Sequence, residues 1–189
     1  EVKGEERNAL ALELFDSNVC EARLLCSKLF NPKNLTMKLV ESWSATFDNW
    51  EICDSFCMAI YAKSPLALDI IDHYLNHDRE FEKRVAFATM AAHCMADKKA
   101  LNEVFELLLT KAILACDDDR LYVKKAVNWA IRSIGKRNKD LRRVVLESCY
   151  ELLETNDGKA AQWIGKDAVR ELEGDVRCSD YPRSLYRNA

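Results

Sequence analysis

The stretch "LYVKKAVNWAIRSIGKRN", Leu121 to Asn138, decides the fold class. Val123, Ala126, Val127, Ala130, Ile131 and Ile134 recur at helical spacings and form the apolar stripe of an amphipathic helix. A second face carries Lys125, Trp129, Arg132 and Lys136. An indole therefore stands among cations on a side that a core does not need. Two readings fit: a tryptophan at a repeat boundary with snorkelling Lys and Arg stems, or a nucleic-acid surface with cations on phosphates and the indole against sugar or base.

Outward from this helix, the same periodicity recurs along the chain. "NALALELF" and "NVCEARLLCSKLF" read as a helical pair, broken at "DSN" and closed at Pro32. "TMKLVESWSATF" is amphipathic, and Asp48 with Asn49 can cap the helix that follows. Ser64 and Pro65 predict a cap and first-turn proline for "LALDIIDHYLN". Further helices are expected over residues 80–96, 100–116, 121–136, 139–154 and 159–173, joined by short polar links. No segment alternates as a strand would, and 5 Gly with 3 Pro leave little material for the turns of an all-β fold. The expectation is an all-α protein in which antiparallel helix pairs of roughly 35 to 45 residues stack as an α-solenoid of HEAT-like repeats. A compact helical bundle is the competing architecture. A chain of 189 residues suits a single domain, expected over 1–173, with an irregular tail over 174–189.

Charge is unevenly placed. Between Asp119 and Arg143 lie nine Lys or Arg (Arg120, Lys124, Lys125, Arg132, Lys136, Arg137, Lys139, Arg142, Arg143) against Asp119 and Asp140. That local excess of seven leaves −10 for the rest of a chain whose net charge is −3. One cationic region that meets a polyanion is the expected consequence. No run approaches the length of a membrane span, and the opening "EVKGEER" has no signal-peptide core, so an intracellular protein, cytoplasmic or nuclear, is expected. Of 8 cysteines, Cys20, Cys26, Cys53, Cys57, Cys94 and Cys149 fall in helical apolar patterns and read as small core residues in a reducing compartment.

"DNWEICDSF", Asp48 to Phe56, sets Trp50 and Asp54 one helical turn apart, so ring and carboxylate project from one face. This is a site, or a core aromatic beside a surface acid. In "FEKRVAFATMA", Val85, Phe87, Ala88 and Ala91 supply packing while Arg84 must point elsewhere, as a surface arginine or as a clamp for anionic oxygens.

"FDSNVCEARLLCSKL", "WSATFDNWEICDSFC", "EFEKRVAFATMAAH", "LYVKKAVNWAIRSIGKRN" and "AAQWIGKDAVREL" stand in the order and approximate spacing of the AlkD-like DNA alkylation-repair proteins, and from Ala11 to Leu172 the chain resembles that family. Members carry further helices before the "EAR" segment, so the resemblance implies a chain shortened at that end. It also implies a HEAT-like solenoid whose concave cationic surface grips duplex DNA, and a monofunctional glycosylase that releases N3- or N7-alkylated purines. Trp50 and Asp54 match the family's tryptophan and catalytic aspartate, Arg84 its DNA-contacting arginine, and Trp129 its second tryptophan. Lys124, Lys125, Arg132, Lys136 and Arg137 complete the expected DNA-binding set. An alkylated purine is already a good leaving group, so a carboxylate need only stabilise the cationic sugar and orient water; the indoles would shield the cationic nucleotide. The resemblance implies a lesion handled while stacked, whereas extrusion into a pocket is the general alternative. A HEAT-like scaffold that binds DNA or protein without chemistry is the other functional class.

Other chemistries have little support. His73 and His77 are four apart but lack the "HExxH" acid, and no metal is expected. No phosphate loop or dinucleotide-binding glycine pattern occurs, so no cofactor is expected; the partner that the resemblance implies is double-stranded DNA with alkylated purines, and a monomer is expected.

Overall fold

A computed structural model describes residues 4–174, and among them there are ten α-helices and no strand. They are α1 (Gly4–Asp16), α2 (Cys20–Leu29), α3 (Met37–Ser44), α4 (Trp50–Ala59), α5 (Ala67–Tyr74), α6 (Glu80–Ala96), α7 (Asn102–Leu114), α8 (Leu121–Gly135), α9 (Lys139–Thr155) and α10 (Lys159–Gly174). Short 3-10 turns cover Pro32–Asn34 and Tyr61–Lys63. Residues 175–189, nearly all of the expected tail, lie outside the described residues, and α10 continues to Gly174.

Side-chain caps explain the starts of α3, α4 and α9. Thr36, Asn49 and Asn138 accept from the amides of Leu39, Ile52 and Leu141, each satisfying a donor left orphaned by the first turn. Ser64 departs from its expected role. Its hydroxyl donates to Tyr61 O and accepts from Leu66 N, closing the 3-10 turn, so α5 begins only at Ala67. Helix α7 is likewise shorter than expected, because Asp97 holds the amides of Lys99 and Ala100 at 2.8 and 2.9 Å in a turn of its own.

One hydrophobic cluster runs from Ala11 on α1 to Leu172 on α10. At its N-terminal end Trp43 is buried against Phe15, Phe30 and Phe56, with ring centroids 5.0–5.5 Å apart, a tilted and edge-on arrangement favoured by the ring quadrupoles. Cys26, Cys53, Cys57, Cys94, Cys116 and Cys149 are buried free thiols, whereas Cys20 is exposed at the start of α2, contrary to its expected core position. Only the Cys20 side of that helix's first turn faces away from the neighbouring helices, since Arg23, Cys26 and Ser27 take the buried stripe.

Helices two apart in sequence pack side by side and in the same direction. Cys53 and Cys57 of α4 approach the carbonyls of Phe81 and Val85 of α6, both 28 residues on. Between α8 and α10, Lys124 lies over Trp163, Asn128 bonds Asp167 and Arg132 bonds Glu171, each pair 39 residues apart. A constant offset is the mark of parallel helices in register, since antiparallel pairs would keep a constant sum. Helices α4, α6, α8 and α10 thus form one row, with α6 packed on both α4 and α8. At Gly135 the row is tight: a Cβ there would fall 2.7 Å from the buried Leu172 side chain.

Candidate functional site

Helix α4 turns Ile52, Cys53, Phe56 and Cys57 into the core, and by helical geometry the opposite stripe carries Trp50 and Asp54. Trp50 is 52% exposed, so it is not a core aromatic. The two small cysteine side chains let α4 seat closely on α6, which brings Asp54 to Arg84. There the guanidinium donates through Nε to Oδ1 at 2.9 Å and through a terminal nitrogen to Oδ2 at 2.7 Å. Its remaining arm donates to the carbonyl of Tyr122 on α8 at 2.6 Å. Burial works against the arginine's charge, but the Asp54 contact outweighs it and raises its pKa above the ordinary arginine value. The same burial pushes the Cys53 thiol well up and keeps it neutral.

Arg84 is therefore neither a surface arginine nor a free clamp. It is a buried fork holding a carboxylate on one side and a helix end on the other. The reason is local: Lys83, Arg84 and the flanking apolar residues sit where α6 is covered by both α4 and α8, and a guanidinium placed there must find acceptors.

The first turn of α8 is pinned to α6 at several points. Its N-cap residue, Arg120, gives no side-chain cap; instead Glu80 on α6 accepts from the amide of Tyr122 at 2.8 Å, so a neighbouring helix supplies the capping carboxylate. Phe81 lies on the Tyr122 ring with centroids 5.0 Å apart. Asp118, just before α8, takes Lys83 at 2.9 Å and Arg120 at 2.6 Å. Desolvation pushes the Asp118 carboxyl up, yet the hydrogen bonds from Arg120 and Lys83 prevail and hold it at about 2.

Two turns further along α8, Trp129 is half-buried against the core. It lines a cavity of about 780 Å³ together with Met95, Lys98, Arg132, Lys136 and Glu171. The cavity lining does not include Trp50, Asp54 or Arg84; Arg84 reaches α8 only at Tyr122, two turns before Trp129.

Most of the nine cations of the basic segment are engaged within the fold. Arg120 pairs with Asp118, Arg142 is buried and donates to Leu172 O, and Arg143 pairs with Glu147. Arg137, expected on the DNA surface, is folded inward: its guanidinium lies 3.7 Å from the Phe105 ring centroid and donates to the carbonyls of Cys94, Asp97 and Ala100. These carbonyls cluster at the C-terminal end of α6, whose dipole favours a cation. Lys124 covers Trp163, and Arg132 and Lys136 reach Glu171. Lys125 is exposed. Sequence reasoning missed Glu80, Asp118, Asp167 and Glu171, because each joins two helices through a partner roughly 35 to 42 residues away.

His73 and His77 face Glu41 and Glu82 at 3.7 and 3.2 Å, and among the described residues no cluster of His, Cys, Asp or Glu could hold a metal ion. No helix among them is long and apolar enough to cross a membrane.

Residues 1–172 match the family described as DNA alkylation repair enzyme, and the chain belongs to it. Membership places the protein in alkylation repair, with DNA as its substrate. Among curated proteins no match is found.

Proposed function

We propose that the chain is a monofunctional DNA glycosylase that hydrolyses the N-glycosidic bond of N3- or N7-alkylated purines in duplex DNA. The observation that carries this reading is the Asp54–Arg84 contact beside exposed Trp50. Each carboxylate oxygen of Asp54 spends one lone pair on the guanidinium and keeps another. Oriented by the guanidinium, it stabilises positive charge on the deoxyribose and aligns an attacking water. Arg84 acts here as a positioning residue. Trp50 and Trp129 screen the cationic nucleotide from bulk water, and Lys124, Lys125, Arg132 and Lys136 engage phosphates. Water is the only co-reactant, so the reaction needs no metal and no nucleotide cofactor.

The architecture that serves this function is a HEAT-like solenoid over residues 1–173, acting as a monomer. Its support is the parallel row α4, α6, α8 and α10, together with side-chain pairs 36 to 42 residues apart from α5 onward, such as Lys111–Asp72 and Asn138–Asn102. Stacked helix hairpins of that length give such separations, whereas a compact bundle gives scattered ones.

The same Asp54–Arg84 contact favours a second reading, a DNA-binding scaffold in which the pair only joins α4 to α6. Single-turnover base release from a duplex bearing 7-methylguanine separates the two. Asp54→Asn should lower the rate by at least about a hundredfold, the loss typical of a removed charge-stabilising group, with DNA affinity retained. An unchanged rate in the variant, or no release by the unaltered protein, would leave the scaffold.

A further inference from the structure

On the α8–α10 seam the expected phosphate-binding cations already have an anionic partner. Glu171 accepts from both Arg132 and Lys136, and all three line the cavity that contains Trp129. Its neighbour one turn back, Asp167, is held differently. Asn128 donates to it at 2.7 Å from a buried amide, Arg170 pairs with it, and Arg132 stands 3.9 Å away. Asp167 is thus anchored to the fold, with its side chain only 15% exposed. Glu171 is about 31% exposed and is hydrogen-bonded, among the described residues, only to the two cations.

A carboxylate that bridges a guanidinium and an ammonium satisfies the same donors as a phosphodiester, because both present a pair of anionic oxygens at hydrogen-bonding distance. Exposure of the bridge to solvent keeps it weak and exchangeable. We propose that Glu171 is a residue that sets DNA affinity by competing with phosphate: duplex must displace it from Arg132 and Lys136, which weakens binding to duplex whether or not it carries a lesion. The proposal rests on the reading of this face as the DNA surface. Glu171 offsets one unit of the positive charge that this pair of cations presents to the duplex.

The test uses equilibrium binding of the full chain to a short unmodified duplex across a salt series. Glu171→Gln keeps the size but removes the charge and turns one of the two accepting oxygens into a donating amide. It should tighten binding at low salt by about twofold to fivefold, the scale of an exposed ion pair, and steepen the log–log salt slope by about one. Glu106→Gln, an equal charge change on exposed α7, should do neither. In an Arg132→Ala, Lys136→Ala background the effect of Glu171→Gln should vanish. Equal gains from Glu106→Gln would mean long-range charge alone and would overturn the exchange. So would an unchanged affinity for Glu171→Gln while Arg132→Ala, Lys136→Ala still weakens binding, in which case the DNA face itself survives. If the double alanine variant also binds normally, both the exchange and the DNA face fail. Thermal melting of each variant separates these results from misfolding.

Discussion

At the scale of single residues, Arg84 carries the most interactions at the site. Its three donating groups meet two carboxylate oxygens and one main-chain carbonyl, so no single substitution reproduces them. Removing it strands Asp54, whose side chain is only 16% exposed, and breaking a buried pair from one side costs more than never having had it. Arg84→Ala should therefore destabilise the fold by about 3 kcal/mol in urea denaturation. Asp54→Asn should cost distinctly less, since the amide oxygen still accepts from the guanidinium. A smaller loss for Arg84→Ala than for Asp54→Asn would mean that the arginine contributes little to holding α4 on α6. Sequence periodicity establishes that Arg84 cannot share the apolar stripe of α6, but it places the residue on the surface. What periodicity lacks is the second helix: with α4 on one side and α8 on the other, no direction away from the stripe leads to solvent.

At the scale of elements, α8 is positioned by its first turn. Glu80 caps it from α6, and Asp118 ties the preceding loop to Lys83 and Arg120. The Asp118 carboxyl titrates at about 2 in the fold against an ordinary 3.8, so the folded protein binds its proton less readily than the unfolded chain. Its stabilisation is complete above the unfolded value and is lost as pH falls through about 4 towards about 2. Asp118→Asn should accordingly lower stability at neutral pH by up to about 2 kcal/mol, and chemical denaturation should show the deficit closing as the solution is acidified through that window. A deficit constant with pH would assign the loss to packing rather than to charge. The extents of α6 and α9 were legible from periodicity, and the Asn49 cap from residue type, because all of these depend on neighbours within a turn or two, whereas the Asn138 cap went unread. Ser64 shows the limit of such reading. Its hydroxyl has a preceding 3-10 turn to close as well as a following helix to start, and the earlier turn takes it.

Across the whole molecule, the basic segment of residues 119–143 does two jobs that composition merges into one charge excess. Arg137 and Arg142 are drawn inward, where carbonyls at helix C-terminal ends accept from them, while Lys125 stands exposed one turn from Trp129. The local excess of positive charge therefore overstates what is available to DNA. Counterion release distinguishes the two jobs, because only a cation that neutralises a phosphate contributes to the salt dependence of binding. Lys125→Ala should weaken duplex binding at low salt and make the log–log salt slope shallower by about one, with thermal stability nearly unchanged, as for other exposed substitutions. Arg137→Ala should do the reverse. It leaves the carbonyls of Cys94, Asp97 and Ala100 without their shared donor and uncovers the buried Phe105 ring, so the melting temperature should fall while the slope measured on the folded fraction stays as it was. A slope that responds to Arg137 and ignores Lys125 would place DNA on a different face of α8 from the one that carries Trp129, and would separate the indole from the lesion it is proposed to shield.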